Sequence, residues 1–386
     1  MRKSALLAFG LVVAIIVALG LVVLSSASEA NGMRVYHDPY AFMKRQFVFL
    51  GMGIVLAVAA ALVDYRIWKE KPLFTWFVYV VVFVMLVMAL YPPFGRNLNG
   101  SFRWLSFGPI SIQPNELAKI SIVLMLSMWL DKINWRVERF LWGSVIPVAF
   151  IGVLAVPIVR EPDYGAVMVF ALAAMLLMFA AGVRLLHMVP WALLGLVGLV
   201  YEVLTNANRM ARLSSFLRIK MPIGVGAQVT DAATKNAGYQ GDMAITAFAN
   251  GRIWGRGLSQ SMQKQFWLPE AHADMIFAVG AEELGIAFSI ATVVLFVLFF
   301  ALAIYIARSA SDRFGRFLVM GLAFIVFFQA IFNIGVVCGA LPMKGVALPF
   351  FSYGGTNMLV SFFSVGTILS VGIHSYRDRK RKVPHG

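Results

Sequence analysis

The sequence predicts an all-α, polytopic membrane protein, on three observations. Of its 386 residues 60% are hydrophobic and only 13% charged, where a soluble domain carries about a quarter charged. Apolar runs long enough to cross a bilayer, roughly 20 residues each, recur from residue 6 to residue 374. Basic residues gather in alternate connections between those runs, the asymmetry that sets orientation in a membrane.

Ten segments qualify in order: 6–24, 46–63, 73–92, 114–130, 144–159, 165–182, 185–203, 275–306, 317–341 and 355–374. Backbone groups in lipid must be satisfied internally, and these runs are too long and too uniformly apolar for barrel strands, so each is read as a helix. The first lies behind Arg2 and Lys3 and ends in SSASEA, the flanks of a secretory signal. Its apolar core from Leu6 to Leu24 exceeds the usual length of about 7–15 residues, so it is read as a retained span.

With the N-terminus inside, the inner connections hold Arg66, Lys69 and Lys71, then Lys132, Arg136 and Arg139, then Arg184, then Arg308, Arg313 and Arg316. The tail over 375–386 adds Arg377, Arg379, Lys380, Arg381 and Lys382. Short outer loops are poorer in basic residues, and the loop over 204–273 is long enough to be exempt from the rule. The chain thus reads as one integral membrane domain, 1–386, with both termini cytoplasmic and 204–273 extracytoplasmic.

The net charge of +15 is scattered over short loops, so topology and anionic lipid headgroups explain it without a nucleic-acid partner. The single cysteine, Cys338, excludes a disulfide framework and a thiolate metal site, and the five histidines are dispersed. With neither a Walker A loop nor a dinucleotide fingerprint, no nucleotide or organic cofactor is expected.

Three outer segments concentrate polar chemistry. In NGSFRWLSFGPISIQPNELAK, residues 99–119, Pro114 suits the first position of a helix, which puts Glu116 in the first turn and Lys119 three residues on, on the same face. The two form either a structural ion pair or a site where Lys119, with Arg103, meets an anionic headgroup. The second segment, 204–273, opens with NRMARLSSFLRIKMP, whose Arg209 and Arg212 alternate with apolar residues as in an interfacial amphipathic helix. It closes with Glu270 and His272, and Asp274 follows at the mouth of a span that holds Glu282 and Glu283; ionisable groups in such a place are functional by default. In the third, LPMKGVALPFFSYGGTN, residues 341–357, two prolines and a Gly-Gly pair break the helix. Irregular backbone at that depth either lines a cavity, with Lys344 and Ser352 facing it, or packs against its neighbours.

These segments, the EPDYG turn at 161–165, the stretch GRGLSQSMQKQFWLPEAHADMIFAVGAEELG at 255–285 and LPFFSYGG at 348–355, occur in family order. They resemble the SEDS family (shape, elongation, division and sporulation), the FtsW/RodA glycosyltransferases of bacterial cell-wall synthesis. LPEAHAD and Met343-Lys344-Gly345 look more like the division branch than the elongation branch. The chain departs from the family where HTDF becomes His272-Ala273-Asp274-Met275, where QPSE becomes Gln113-Pro114-Asn115-Glu116, and where QPDLG becomes Glu161-Pro162-Asp163-Tyr164-Gly165. Residues 222–255 are also longer than usual.

The resemblance implies polymerisation of lipid II into glycan strands at the outer face of the bacterial cytoplasmic (inner) membrane, with inversion and an undecaprenyl-pyrophosphate leaving group. It makes Asp274 the catalytic carboxylate, which accepts a hydroxyl proton or holds a divalent cation, Mg2+ or Mn2+. The alternative for Asp274 is a helix-capping role. Arg103, Lys119, Lys344, Ser352 and His272 fall to the substrate, and Gln113, Glu116, Asp163, Glu282 and Glu283 to support. Glu282 and Glu283 lie about 12 Å along the helix from Asp274 at 1.5 Å per residue, so they are expected to pair with basic groups inside the bundle. A class B penicillin-binding transpeptidase, other division or elongation membrane proteins, membrane lipids and the growing glycan strand are the implied partners. A lipid II flippase and a non-catalytic scaffold are the competing readings, since broken helices and cavity charges also suit transporters.

Overall fold

The chain is described by a computed structural model over residues 3–98, 101–107, 110–161, 163–217, 231–264 and 271–382. Nearly all of it is helical. In chain order the helices are α1 (Lys3–Tyr36), α2 (Ala41–Leu62), α3 (Ile67–Glu70), α4 (Pro72–Ala89), α5 (Pro114–Ile133), α6 (Ile146–Arg160) and α7 (Tyr164–Ala181). They continue with α8 (Leu185–Thr205), α9 (Ala207–Leu217), α10 (Asp231–Gly251), α11 (Ile276–Arg308), α12 (Arg313–Val337) and α13 (Gly355–Lys382). A small antiparallel sheet, β1 (Gly95–Leu98), β2 (Ser101–Phe107) and β3 (Ile110–Ile112), is inserted before α5. That sheet was not anticipated.

Among the described residues nine helices are long and apolar enough to span a membrane, against ten expected segments. The tenth, 114–130, does form a helix, but α5 carries Glu116, Lys119, Asp131 and Lys132, too many charges for a lipid-facing span. It tolerates them because it packs on α4, α6, α7, α12 and α13 and shows its side chains to protein. An amphipathic pattern is not needed where every face is buried.

Burial sorts the other helices by role. In the most apolar stretch of each, 72% of α13 and 67% of α12 is buried, against 6% of α8. So α12 and α13 stand at the centre with α5, and α8 lies at the rim with its leucines and valines available to acyl chains. Ridges of phenylalanine fill the middle: Phe9 meets Phe299 at 5.1 Å, and Phe350 meets Phe362 edge-on at 5.7 Å.

The segment read as a loop over 204–273 contains two helices, α9 and α10. The expected amphipathic helix is α9, although Arg218 and Lys220 lie outside the described residues, as do 222–230 of the atypical stretch and Glu270. Polar residues fold helically in α10 because Ala244 and Ala247, on one face, are fully buried as it packs against α11.

One end of the bundle is laced by the basic connections. Tyr65 donates to Asp312 (2.6 Å), Lys69 pairs with Asp131 (2.8 Å), Arg66 pairs with Asp378, and Arg379 donates to the Ser309 carbonyl (3.0 Å). The basic tail therefore continues α13 as helix to Lys382 and is tied to this end.

Candidate active site

At the opposite end the irregular connections converge, and each is held by identifiable bonds. Between α12 and α13 the chain runs without helix from 338 to 354, yet it buries Phe350 and Phe351 almost completely. Backbone polar groups in such a place need partners. They are supplied by the polar face of α12: Gln329 donates to the Ala347 carbonyl (2.9 Å) and Asn333 to that of Val346 (2.6 Å).

Ser352 accepts from the Leu348 amide (2.7 Å) and donates to the Ala273 carbonyl (2.6 Å). Buried at 2% exposure, it clamps the Gly-Gly turn to the loop before α11 and does not face a cavity, because both sides of its hydroxyl are taken by backbone. His272 has a similar place. Its ring lies against Phe42 (4.6 Å) and Tyr353 (5.9 Å), Asn31 is 3.1 Å from Nδ1, and its carbonyl accepts from the Tyr353 amide (3.0 Å).

Lys119 is also turned inward. Its ammonium is shared by Glu116 (2.6 Å) and Gln329 (2.7 Å) at 2% exposure, so the expected ion pair is present and the lysine is spent on it. Gln113 precedes α5 without capping it through its side chain, and its amide donates to Thr356 (3.1 Å). Glu283 is held by Lys264 (3.2 Å) and Ser26 (2.5 Å), Glu282 by Asn250 (3.2 Å), Ser261 and Arg256 (3.6 Å). Both glutamates pair inside the bundle as expected, and they pin the 252–264 segment beside α11.

That segment explains a break in α11. Gly285 sits at φ 77°, ψ −170°, a conformation open to glycine, and its α-carbon touches the Ile253 carbonyl so closely that a Cβ would lie 2.3 Å from it.

What remains is a charged cluster. Asp163 caps α7 through the Ala166 amide (3.4 Å), accepts from Asn115 of α5 (3.1 Å) and pairs with Lys344 (3.4 Å). Arg103, on β2, donates to the Glu161 carbonyl (3.0 Å). On α9, Arg209 lies over the Tyr164 ring (3.9 Å), and Arg212, one turn on, is in electrostatic reach of Arg103, Arg209 and Asp274.

Burial disfavours the charge of Asp163, but Lys344, Arg103 and the bonds from Asn115 and Ala166 outweigh it and hold the carboxyl below its ordinary value. Burial pulls the Lys344 ammonium below the lysine range, with Asp163 opposing. Glu161 is pushed up to about 8, chiefly by burial and further by the charge of Asp163, with Asn115 and Arg103 opposing.

Asp274 itself lies outside α11. The N-cap position is taken by Met275, which makes no capping hydrogen bond through its side chain, and Asp274 stands one residue before it. Its carboxylate lies against the backbone of Gly345, where a Cβ would approach Oδ2 to 2.5 Å, and its carbonyl accepts from Asn333 (2.7 Å). The site thus joins Asp274, Arg103, Arg212, Lys344 and Asp163, and leaves Lys119, Ser352 and His272 in supporting positions.

Sequence reasoning missed Asn115, Gln329 and Asn333. The last two are lone amides in an apolar span, a signal of the same kind that marked the glutamates. Among the described residues no cluster of three or more metal-ligating side chains occurs. The Asp274 carboxylate would be the protein ligand to a divalent ion such as Mg2+, which takes few of them.

Comparison with known proteins shows which family the chain belongs to. A profile of the cell cycle protein family FtsW/RodA/SpoVE matches residues 6–377. The chain is 35% identical over 359 residues to the probable peptidoglycan glycosyltransferase FtsW of Coxiella burnetii, covering 92% of this chain and 93% of that one. It is 34% identical over 359 residues to the protein of the same description from Geobacter sp. strain M18, covering 92% and 94%. Among solved structures, a chain of a peptidoglycan synthase complex that coordinates polymerization and crosslinking superposes with a TM-score of 0.75 at 26% identity, covering 96% of this chain and 98% of that one. The rod shape determining protein RodA of Thermus thermophilus gives 0.65 at 23% identity, covering 95% and 96%, and shares the fold. With a family match along nearly its whole length and relatives above 30% identity, the chain belongs to the FtsW/RodA/SpoVE family of cell cycle proteins.

Proposed function

We propose that this chain is a peptidoglycan glycosyltransferase that joins lipid II disaccharide-peptide units into glycan strands at the outer face of the bacterial cytoplasmic membrane, in division or shape maintenance. The observation that carries the reading is the carboxylate of Asp274, held outside its helix against Gly345 and within reach of the Arg212 charge. Membership of the family supports the reaction class.

In the proposed reaction an acceptor sugar hydroxyl attacks the anomeric carbon of a lipid-linked donor. The new C–O bond forms on the face opposite the pyrophosphate, the old C–O bond breaks, and its electron pair leaves with the pyrophosphate, so the centre inverts. Asp274 takes the hydroxyl proton. Arg103, Arg212 and Lys344 offset the charge that grows on the pyrophosphate, in a setting where fixed charges act strongly because water is scarce. Asp163 keeps Lys344 in place and charged. A divalent cation, Mg2+ or Mn2+, would be held by Asp274 together with pyrophosphate oxygens, where it would supply further neutralisation. The apolar rim formed by α8 suits the polyprenyl chain.

Partners follow from the same reading: a class B penicillin-binding transpeptidase, since uncrosslinked glycan does not become wall, and other membrane proteins of the division or elongation complex. Purified protein incubated with labelled lipid II, followed by gel separation of the products, tests the proposal. Glycan ladders support it. Unchanged lipid II that crosses vesicle membranes would favour a flippase, and unchanged lipid II with neither activity a scaffold.

A further inference from the structure

The strongest feature that the proposed reaction does not use is Asn333. It sits in the last turn of α12, 1% exposed, on a helix whose neighbouring positions are apolar. Both of its amide protons are committed: Nδ2 lies 2.7 Å from the Asp274 carbonyl and 2.6 Å from the Val346 carbonyl. Because both partners are carbonyl oxygens, which only accept, the orientation of the amide is fixed by its bonds. One side chain thus joins the loop that carries Asp274 to the strand of irregular backbone that contains Gly345.

Gly345 closes the other side. Its bare α-carbon lets the Asp274 carboxylate lie against the backbone, where even a methyl group would stand 2.5 Å from Oδ2. Real Cβ contacts are not that short, so any larger residue must displace the carboxylate or the loop. Asp274 is therefore confined from two directions, by a bond to its own carbonyl and by a wall beside its carboxylate, and both depend on the position of 345–346.

We infer that Asn333 and Gly345 are positioning residues that together set where the Asp274 carboxylate stands relative to the acceptor hydroxyl. The inference rests on the catalytic reading of Asp274. Both act through Asp274. Asn333→Leu keeps the volume and removes both donors, which frees the loop, whereas Gly345→Ala keeps the donors and pushes the carboxylate. Misplacement by about 1 Å is enough to cost on the order of 10²-fold in rate.

The experiment measures glycan polymerisation by the full-length detergent-purified protein, with kcat and KM for labelled lipid II and the melting temperature of each variant. For Asn333→Leu and Gly345→Ala, assayed below the melting temperature of each, the expected result is a kcat lowered by about 10- to 100-fold, with KM near wild type. A structural role alone would lower the melting temperature and leave the kcat of the folded protein unchanged, and that result overturns the inference. If Asn333→Leu does not fold, Gly345→Ala decides, and wild-type kcat there overturns it as well. Asp274→Asn is assayed in parallel. Wild-type polymerisation by that variant means that the reading of Asp274 has failed; loss in Asp274→Asn with wild-type kcat in both other variants means that this inference alone has failed.

Discussion

Two carboxylates at the outer end of the bundle differ in what surrounds them, and each makes a prediction. Asp274 lies within electrostatic reach of Arg212, and in the proposed reaction it takes the hydroxyl proton. Asp274→Asn preserves the shape and a helix-capping ability, and so isolates the charge. Polymerisation should fall by about 10²- to 10⁴-fold, the usual worth of a general base, while lipid II affinity and monodispersity are kept; a near wild-type rate would return Asp274 to a structural role. Glu161 is different. With its carboxyl raised from 4.5 to about 8, the fold carries it neutral where the unfolded chain is already ionised. The folded state then binds more protons than the unfolded state between those values, so its contribution to stability is full below 4.5, is lost as pH rises, and levels off above 8. Glu161→Gln has no proton to lose. Its melting temperature should exceed wild type by a margin that widens from about pH 5 to about pH 9, and parallel profiles would show that Glu161 does not titrate in this range. Family members that carry glutamine at this place would lack the dependence.

At the scale of elements, α5 shows what was legible in the sequence and what was not. Pro114, Glu116 and Lys119 announced a helix start and an ion pair at i, i+3, and both are present. That the pair faces Gln329 on α12 was not legible, because spacing along one helix says nothing about the neighbour it meets. For the same reason Lys119 and Ser352 looked available to a substrate and are consumed by the protein. The small sheet before α5 escaped notice because its strands run only 4, 7 and 3 residues, too short for a period-2 pattern to register. In 204–273, α10 went unread because its polar residues gave no span-like run, and only contact with α11 shows which face is buried. The buried pair yields a testable difference. Removing one partner of a buried ion pair costs about 3–5 kcal/mol, so Glu116→Ala, which leaves the Lys119 ammonium with Gln329 alone, should lower the melting temperature markedly. Lipid II affinity should be unchanged, as neither group reaches the arginine cluster; an affinity loss without a melting shift would restore Lys119 to the substrate.

For the whole molecule, hydropathy and basic residues carried most of the architecture, since lipid forces long helices and the translocation of charge is costly. Among the described residues α5, whose charges set it apart from the nine apolar spans, is buried in the bundle like α12 and α13, and counting it gives an even number of crossings. Even crossings put both termini at the same end. That end is the one laced by Tyr65, Lys69, Arg66 and Arg379, where basic residues meet Asp131, Asp312 and Asp378, and the positive-inside rule predicts it to be cytoplasmic. On the proposed function the arginine cluster and Asp274 lie outside, where a lipid-linked donor and an extracellular glycan would meet. Cys338 is the only native cysteine, so Cys338→Ser gives a clean background for mapping. In spheroplasts, a membrane-impermeant maleimide should label Lys44→Cys, whose lysine is 70% exposed at the outer end, without permeabilisation. Lys380→Cys, on the exposed end of α13, should react only after the membrane is opened. Labelling of Lys380→Cys in sealed spheroplasts would invert the topology and move Asp274 to the cytoplasmic side, where polymerisation of an extracellular wall from this site is impossible.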